Sequence, residues 1–426
     1  MAGIRSSVQI PKRFLPHCSR CHAMATQCNS MAMVTQANSS YKHCSISLQK
    51  KADMQVPFYT PVREYHARKA EFDHAVQQVF ENGDFILGED VAAFEKEAAS
   101  WLGAKYAVGV ASGSDALVIG SDILGFRDGA EVLTPTYTFF ASASCLARLG
   151  AKPIFVDMDE ETLNMDMRQA AEKVNSRIQG IIPVHLFLQP TPLQEVMDLA
   201  RAYNIKVLED AAEGWGMESF VDGRWKKAGA VGDIGIYSFF PTKTLGAYGD
   251  AGLMVTDDEA LYRKIKMYRV HGTTTKYHHE YIGYNSRLDT LQAAILRVKL
   301  ATTEQAIAAR ARHARHYTER LRAIPGLQVQ SVRSDAHPVY YVYNILVPQR
   351  DALADYLKEN GIGTTIYYPK PLHLQPCFAY LGYKEGDFPV AERICKDILA
   401  LPMYPELTDD EVDYVCDAIS SFYGRA

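Results

Sequence analysis

The sequence predicts an α/β protein: a three-layer large domain with a mainly parallel central sheet, then a smaller α+β domain at the C-terminal end. Three observations predict it. Short apolar runs recur between about residue 106 and residue 256. Most are separated by roughly 10–20 residues that carry helical periodicity. After a long helical stretch, from about 288 to 325, the chain turns to a different mixture of short runs and helices. Strands that are apolar almost throughout must be covered on both faces, and helices between them supply that cover in a parallel sheet.

The elements follow in order. "FDHAVQQVF" (72–80) and "VAAFEKEAASWL" (91–102) place apolar residues at helical spacing. Strands are predicted at "YAVGVAS" (106–112), "AEVLTPTY" (130–137), "KPIFVDM" (152–158), "GIIPVHLF" (180–187), "IKVLEDA" (205–211), "DIGIYSFF" (233–240) and "AGLMVTD" (251–257). "PLQEVMDLARAYN" (192–204) is a helix between two of them. Residues 288–325 read as one long helical connector. Beyond it, "YYVYNILV", "DALADYLKENGI", "TTIYYP" and "DEVDYVCDAISSFY" form the smaller unit. The domains are therefore set at 54–300 and 301–426. There is no internal repeat, no Walker motif and no G-x-G-x-x-G.

Residues 1–53 differ from the rest. They are rich in Ser, Met and Cys, hold seven Lys/Arg, and have no acid before Asp53. The segment is thus +6, and the chain's net −5 leaves −11 for the remainder. Such composition fits an organelle transit peptide; a mis-assigned start, with Met54 as the true one, fits it equally. Either way it is a non-globular extension. An acidic body argues against a nucleic-acid partner. No apolar run approaches the roughly 20 residues that span a bilayer. Outside the extension Cys145, Cys377, Cys395 and Cys416 lack metal-ligand spacing, so no metal is expected. This is the usage of a reducing compartment, cytoplasmic unless residues 1–53 direct the chain to an organelle. "CSRCH" (18–22) matches a haem-attachment pattern. With no distal ligand segment it reads as chance.

Ligands of an open parallel sheet bind beyond the carboxyl ends of its strands. Lys243 follows "IGIYSFF", between Pro241 and a glycine-rich turn. Asp210 ends "IKVLED", with Glu213 one turn on. Ser112, Gly113, Ser114 and Asp115 follow "YAVGVA" and enter a helix. Thr138 and Phe139 follow "EVLTP", and His185 closes "IIPVH". Each alone has a plain structural use: a solvated lysine, a helix cap, a core aromatic, a satisfied histidine. Together they offer backbone N–H groups for a phosphate, a carboxylate for a ring nitrogen, an aromatic face and an amine for an aldehyde. That set describes pyridoxal 5′-phosphate.

The chain resembles the DegT-type sugar-nucleotide aminotransferases, pyridoxal-phosphate enzymes of fold type I. The resemblance rests on "GDFILGEDVAAFEKEAASWLGAKYAVGVASGSDAL", "VLEDAAEGWG", "SFFPTKTLGAYGDAG", "IGYNSRLDTLQAAIL", "YYPKPLHLQPCF" and "LGYKEGDFPVAE", which span about 59–420. It implies that Lys243 forms the Schiff base, where relatives that act as dehydratases carry His. It implies that Asp210 faces the pyridine nitrogen, Gly113, Ser114 and Ser238 hold the phosphate, and Phe139 stacks on the ring. Asn285 matches an Asn that reaches the phosphate of a neighbouring subunit, which implies a homodimer with shared sites. His373, and His185 with it, are expected at the substrate. The implied reaction moves an amino group from glutamate to a keto group, at C3 or C4, of a nucleotide-linked sugar. The alternatives are another cyclic keto substrate and a non-catalytic sensory protein that binds the cofactor. Two stretches depart from the pattern. Glu213 stands where many relatives have Gln or His near the phenolic oxygen. "LQPTPLQ" replaces the usual Gly- and Asp-containing turn after "PVHLF".

Overall fold

Seven short strands form the centre: β1 (Tyr106–Val110), β2 (Glu131–Pro135), β3 (Lys152–Val156), β4 (Ile178–Ile181), β5 (Lys206–Asp210), β8 (Ile234–Ser238) and β9 (Gly252–Thr256). Their spatial order is β1-β9-β8-β5-β4-β2-β3. Pairing is parallel from β3 through β8, and β9 runs antiparallel to both β8 and β1. Every residue of β2 and β9 is buried, as the run of apolar side chains requires. The computed structural model describes residues 54–424; the expectations for 1–53 lie outside them. From Gln55 onward the chain gathers into one compact unit.

Helices Gly113–Ile123 and Leu193–Tyr203 lie between sheet strands in sequence, Glu89–Leu102 precedes the first strand and Glu259–Tyr268 follows the last. Two of their starts show why they begin where they do. Ser112 caps Gly113–Ile123 by accepting from Asp115 N, and Asp258 caps Glu259–Tyr268 by accepting from Ala260 N and Leu261 N. Each such cap contributes about 1 kcal/mol. One side of the sheet packs Val108, Leu208, Ile236 and Met254 against Ala116, Leu117 and Ile119 of Gly113–Ile123. The other packs Phe94, Trp215, Tyr237 and Leu253, with Trp101 and Trp215 stacked at 4.6 Å.

All seven predicted central strands are present. Three details differ from the sequence reading. A hairpin of β6 (Glu218–Val221) and β7 (Arg224–Lys227) was not foreseen. Its two-residue turn is Asp222-Gly223, both at positive φ (51° and 77°), the geometry that suits a right-twisted hairpin. The long connector is two helices, Thr290–Leu300 and Thr303–Leu321, broken at Ala301-Thr302. Residues 364–369, named among the runs of the smaller unit, form no strand and supply only a single bridge, Thr365 to Ala400.

The remaining strands are short. β10 (Thr273–Thr275) and β11 (His278–His279) make a small hairpin. β13 (Ala336–His337) pairs with β6. β12 (Gln328–Val329), β14 (Tyr343–Leu346) and β15 (Ile398–Leu401) form a three-stranded antiparallel sheet. Helices Arg350–Glu359, Pro389–Asp397 and Asp409–Tyr423 accompany it, the last opened by a capping box of Thr408 and Glu411. One cluster joins Tyr137 and Phe155 to Tyr341, Leu346 and Ile398. The C-terminal strands are thereby held against the loops that leave the central sheet.

Candidate active site

Beyond the carboxyl ends of the central strands lies a cavity of about 870 Å³. That volume is in the range of cofactor and small-ligand sites. Asp210, the last residue of β5, is on its wall and buried. Ser142 Oγ donates to Asp210 Oδ2 at 2.6 Å, and Ala212 N donates to Oδ1 at 3.1 Å. Burial raises the Asp210 pKa above the usual carboxylate value, against the opposing pull of Ser142, Ala212 N–H and Lys243.

Lys243 stands in the loop after β8. That loop is fixed by its own backbone: Lys243 N donates to Phe240 O (2.8 Å) and Ala247 N to Phe239 O (2.8 Å). Tyr59 OH adds a bond to Pro241 O. Lys243 Nζ is 3.2 Å from Glu213 Oε1 and 4.5 Å from the centre of the Tyr341 ring. Burial pulls the Lys243 pKa down, but the Glu213 carboxylate and Tyr341 outweigh it and the pKa is raised.

Glu213 is not turned away from the site. Its Oε2 accepts from Phe187 N (2.9 Å), and its Oε1 accepts from both Lys243 Nζ and Tyr368 OH (each 3.2 Å). Phe187 closes "PVHLF", directly before "LQPTPLQ". Glu213 is thereby tied to the run that follows β4, of which Val184 and Leu186 line the cavity.

Gly113 and Ser114 open the helix Gly113–Ile123 on the cavity wall, next to Ser238 at the end of β8. First-turn N–H groups have no intrahelical acceptor and carry the positive end of the helix dipole. A Cβ placed on Gly113 would lie 2.7 Å from Ser238 Cβ. The glycine lets strand end and helix start approach closely enough to bind one phosphate group between them. Phe139 is 55% exposed in the cavity wall, between the buried Thr138 and the exposed Phe140. An aromatic left uncovered beside a buried carboxylate fits a flat ring. The donor set therefore fits pyridoxal phosphate at each end: cradle, ring face, ring nitrogen and amine.

The two histidines expected at the substrate do not line the cavity. His185 is wholly buried, with Nε2 2.9 Å from Glu209 Oε2 and Nδ1 accepting from Thr191 N at 3.2 Å. Along an extended segment alternate residues face opposite ways, so Val184 and Leu186 face the cavity and His185 faces the core. His373 is likewise buried between Thr136 Oγ1 (2.8 Å) and Glu392 Oε1 (3.1 Å), and burial lowers its pKa. Both rings are committed to structural hydrogen bonds. Asn285 is exposed, bridges Val270 through its backbone, and is not on the cavity wall of its own chain.

Sequence reasoning missed the tyrosines. Tyr341, Tyr367 and Tyr368 line the cavity; Tyr341 OH lies 3.2 Å from Tyr367 OH and 3.0 Å from Thr242 Oγ1, while Tyr368 OH donates to Glu213. They sit in two runs of the smaller unit, "YYVYNILV" and "TTIYYP". Tyr368 has φ of 50°, a strained value for a bulky side chain, of the kind that clusters at functional sites. Ser142 was also missed, since a serine two residues into a helix carries no signal of its own.

Fold and site define a fold-type-I, pyridoxal-phosphate-dependent aminotransferase. Residues 66–420 match the DegT/DnrJ/EryC1/StrS aminotransferase family, and the chain belongs to it. It is 43% identical over 372 residues to the pleiotropic regulatory protein of Geobacillus stearothermophilus, covering 87% of this chain and 99% of that one. It is 34% identical over 371 residues to the dTDP-3-amino-3,4,6-trideoxy-alpha-D-glucose transaminase of Streptomyces venezuelae, covering 87% and 97%. The crystal structure of NtdA from Bacillus subtilis with bound cofactor PMP superposes with a TM-score of 0.79 at 28% identity, covering 88% of this chain and 87% of that one.

Proposed function

We propose that the enzyme transfers an amino group from glutamate to a keto group, at C3 or C4, of a nucleotide-linked sugar. The observation that carries the reading is the convergence of Lys243, Asp210, Gly113 and Ser238 on one cavity. The cofactor, when bound, supplies an electron-accepting ring and a carbonyl that carries the amino group. Asp210, ionised, holds a proton on the ring nitrogen. Lys243 Nζ takes up the cofactor covalently and, once released, moves a proton at the carbon that gains or loses the amino group. Gly113, Ser114 and Ser238 bind the phosphate, and Phe139 covers the ring. Glu213 is positioned to hold the lysine's charge before the cofactor arrives.

The named Streptomyces relative is a dTDP-sugar transaminase, which supports the substrate class. The Geobacillus relative is named as a regulator. Loss of Lys243 or Asp210 would signal a purely sensory role, and both residues are present here. A screen of UDP-, dTDP- and GDP-linked keto sugars with glutamate, read by mass spectrometry, tests the proposal. An aminated nucleotide sugar is the expected product; amination of unlinked cyclic ketones alone would replace this reading with the cyclic-keto one.

A homodimer with shared sites belongs to the same proposal. The hairpin of β10 and β11 exposes Tyr277 and Ile282, the latter at 96%, and Asn285 stands at its base. Phe80 and Phe85, 5.8 Å apart, are exposed as well. Apolar side chains in such settings suit contact with a second copy. No helix among the described residues is long and apolar enough to cross a membrane. The proposed setting is the cytoplasm, or an organelle if residues 1–53 act as an address.

A further inference from the structure

Asp210 is usually thought of alone, as one carboxylate against one ring nitrogen. Here it ends a directed chain of hydroxyls. A carboxylate only accepts hydrogen bonds, so the single proton of Ser142 Oγ points to Asp210 Oδ2, 2.6 Å away. Thr138 Oγ1 lies 3.0 Å from Ser142 Oγ. Since Ser142 has no second proton, Thr138 must be the donor in that bond. The order Thr138 to Ser142 to Asp210 follows from valence alone. All three residues are buried, so water does not compete with either bond.

We propose that Ser142 is a positioning residue: its hydroxyl, oriented by Thr138, fixes Asp210 in its ionised form and in the rotamer that faces the cofactor's ring nitrogen. The inference rests on the reading of Asp210 given above. The other groups that face Asp210 do not replace Ser142. Ala212 N is bonded to the other oxygen. Lys243, from the loop after β8, is bonded to Glu213. Glu213 carries the same charge as Asp210 and opposes its ionisation. Cys145, one turn along the helix from Ser142, is a buried thiol whose sulfur bonds Ser142 O and Ser121 Oγ. A short bond from a neutral donor to a carboxylate is the stronger kind of hydrogen bond, and in a dry site it decides which partner keeps the proton.

The test uses full-length protein loaded with cofactor labelled at the pyridine nitrogen with a nitrogen-15 nucleus, whose chemical shift reports protonation directly. Wild type should hold the nitrogen protonated at neutral pH and lose the proton only at a midpoint well above it. Ser142→Ala should lower the midpoint of that titration by about one to two pH units, the loss of one hydrogen bond to a charged group. Ser142→Thr, which keeps the hydroxyl, should restore it. Thr138→Val should shift the midpoint the same way by less, and it serves alone if Ser142→Ala does not fold. Asp210→Asn is the reference. If Asp210→Asn abolishes protonation and neither Ser142→Ala nor Thr138→Val moves the midpoint, the role of Ser142 is overturned and that of Asp210 stands. If Asp210→Asn itself leaves the nitrogen protonated, the reading of Asp210 falls and this inference with it. A lowered melting temperature with an unmoved midpoint marks Ser142 as merely structural and overturns the proposal.

Discussion

The carboxylate of Glu213, which is buried, lies 3.2 Å from the ammonium of the half-buried Lys243. The pair joins the turn after β5 to the loop after β8 and bears on the charge of an amine on the cavity wall, where Lys370 stands as well. Only the neutral amine attacks a carbonyl. In wild type, uptake of cofactor by the empty protein should therefore quicken as pH rises toward the raised pKa of Lys243. Glu213→Gln removes the main raising influence and leaves burial, which lowers it. The rise should move to lower pH, so that capture at neutral pH is faster in the variant. Absorbance after rapid mixing across a pH series measures this; coincident profiles for the two proteins would refute it.

Lys243 should carry the cofactor covalently. Purified protein should be yellow and lose that absorbance on borohydride reduction, and peptide mapping should find the pyridoxyl group on Lys243. Lys226 and Lys227, in β7, are the nearby control: they bond Asp222 and Glu218 instead. A label on either would sink the assignment.

Asp210→Asn should keep cofactor bound and reduce turnover by several orders of magnitude. The amide cannot stabilise a proton on the ring nitrogen, so the electron-accepting power of the ring is lost. Phosphate contacts and the Phe139 face are untouched, which is why occupancy should persist. A near-normal rate removes Asp210 from the chemistry.

Gly113→Ala tests the cradle. The new Cβ meets Ser238 Cβ at 2.7 Å, and strand end and helix start must part. Overpacking of this kind costs about 1–3 kcal/mol. The expected results are a lower melting temperature and cofactor affinity weakened about tenfold or more, a factor of ten being worth about 1.4 kcal/mol. Unchanged affinity would show that the phosphate is held elsewhere.

What could be read in the sequence follows from how local each signal is. The strands β1 to β5, β8 and β9 are runs of apolar residues bounded by helices, and such runs announce themselves. Lys243, Asp210, Gly113 and Ser238 were legible because they end or follow those runs, and the sheet brings the carboxyl ends of β1, β5 and β8 to one edge. The β6–β7 hairpin was missed although "VDGRW" carries the signal, because Phe220 and Trp225 face outward and the run looks irregular. His185 and His373 misled for a different reason. Position along the chain does not say which face a side chain takes: one step of alternation turns His185 from the cavity to the core, and His373 sits in the helical turn Leu372–Leu374 with its ring inward. The tyrosines arrive from the C-terminal part of the chain, brought there by long-range packing that no local pattern encodes.

Asn285 should act in the neighbouring subunit's site. Its plain structural use would be to cap the following helix, but that helix begins at Thr290 with Asp289 at the cap position. Asn285 instead stands at the base of a projecting hairpin, exposed, and away from the cavity of its own chain. A mixing experiment separates action in trans from action in cis. Lys243→Ala and Asn285→Ala proteins, each inactive alone, are combined and allowed to exchange subunits. If Asn285 acts in trans, a mixed dimer gathers both lesions into one site and leaves the other intact, so activity returns to a fraction of wild type. If it acts in its own chain, every site in the mixture carries one lesion and no activity returns. The test needs Asn285→Ala to be strongly impaired by itself. Loss of one charge-assisted phosphate contact, about 1.5–3 kcal/mol, weakens cofactor binding by tenfold or more, so the assay is run at limiting cofactor. Full activity of Asn285→Ala under those conditions would show that the loop does not serve the phosphate at all.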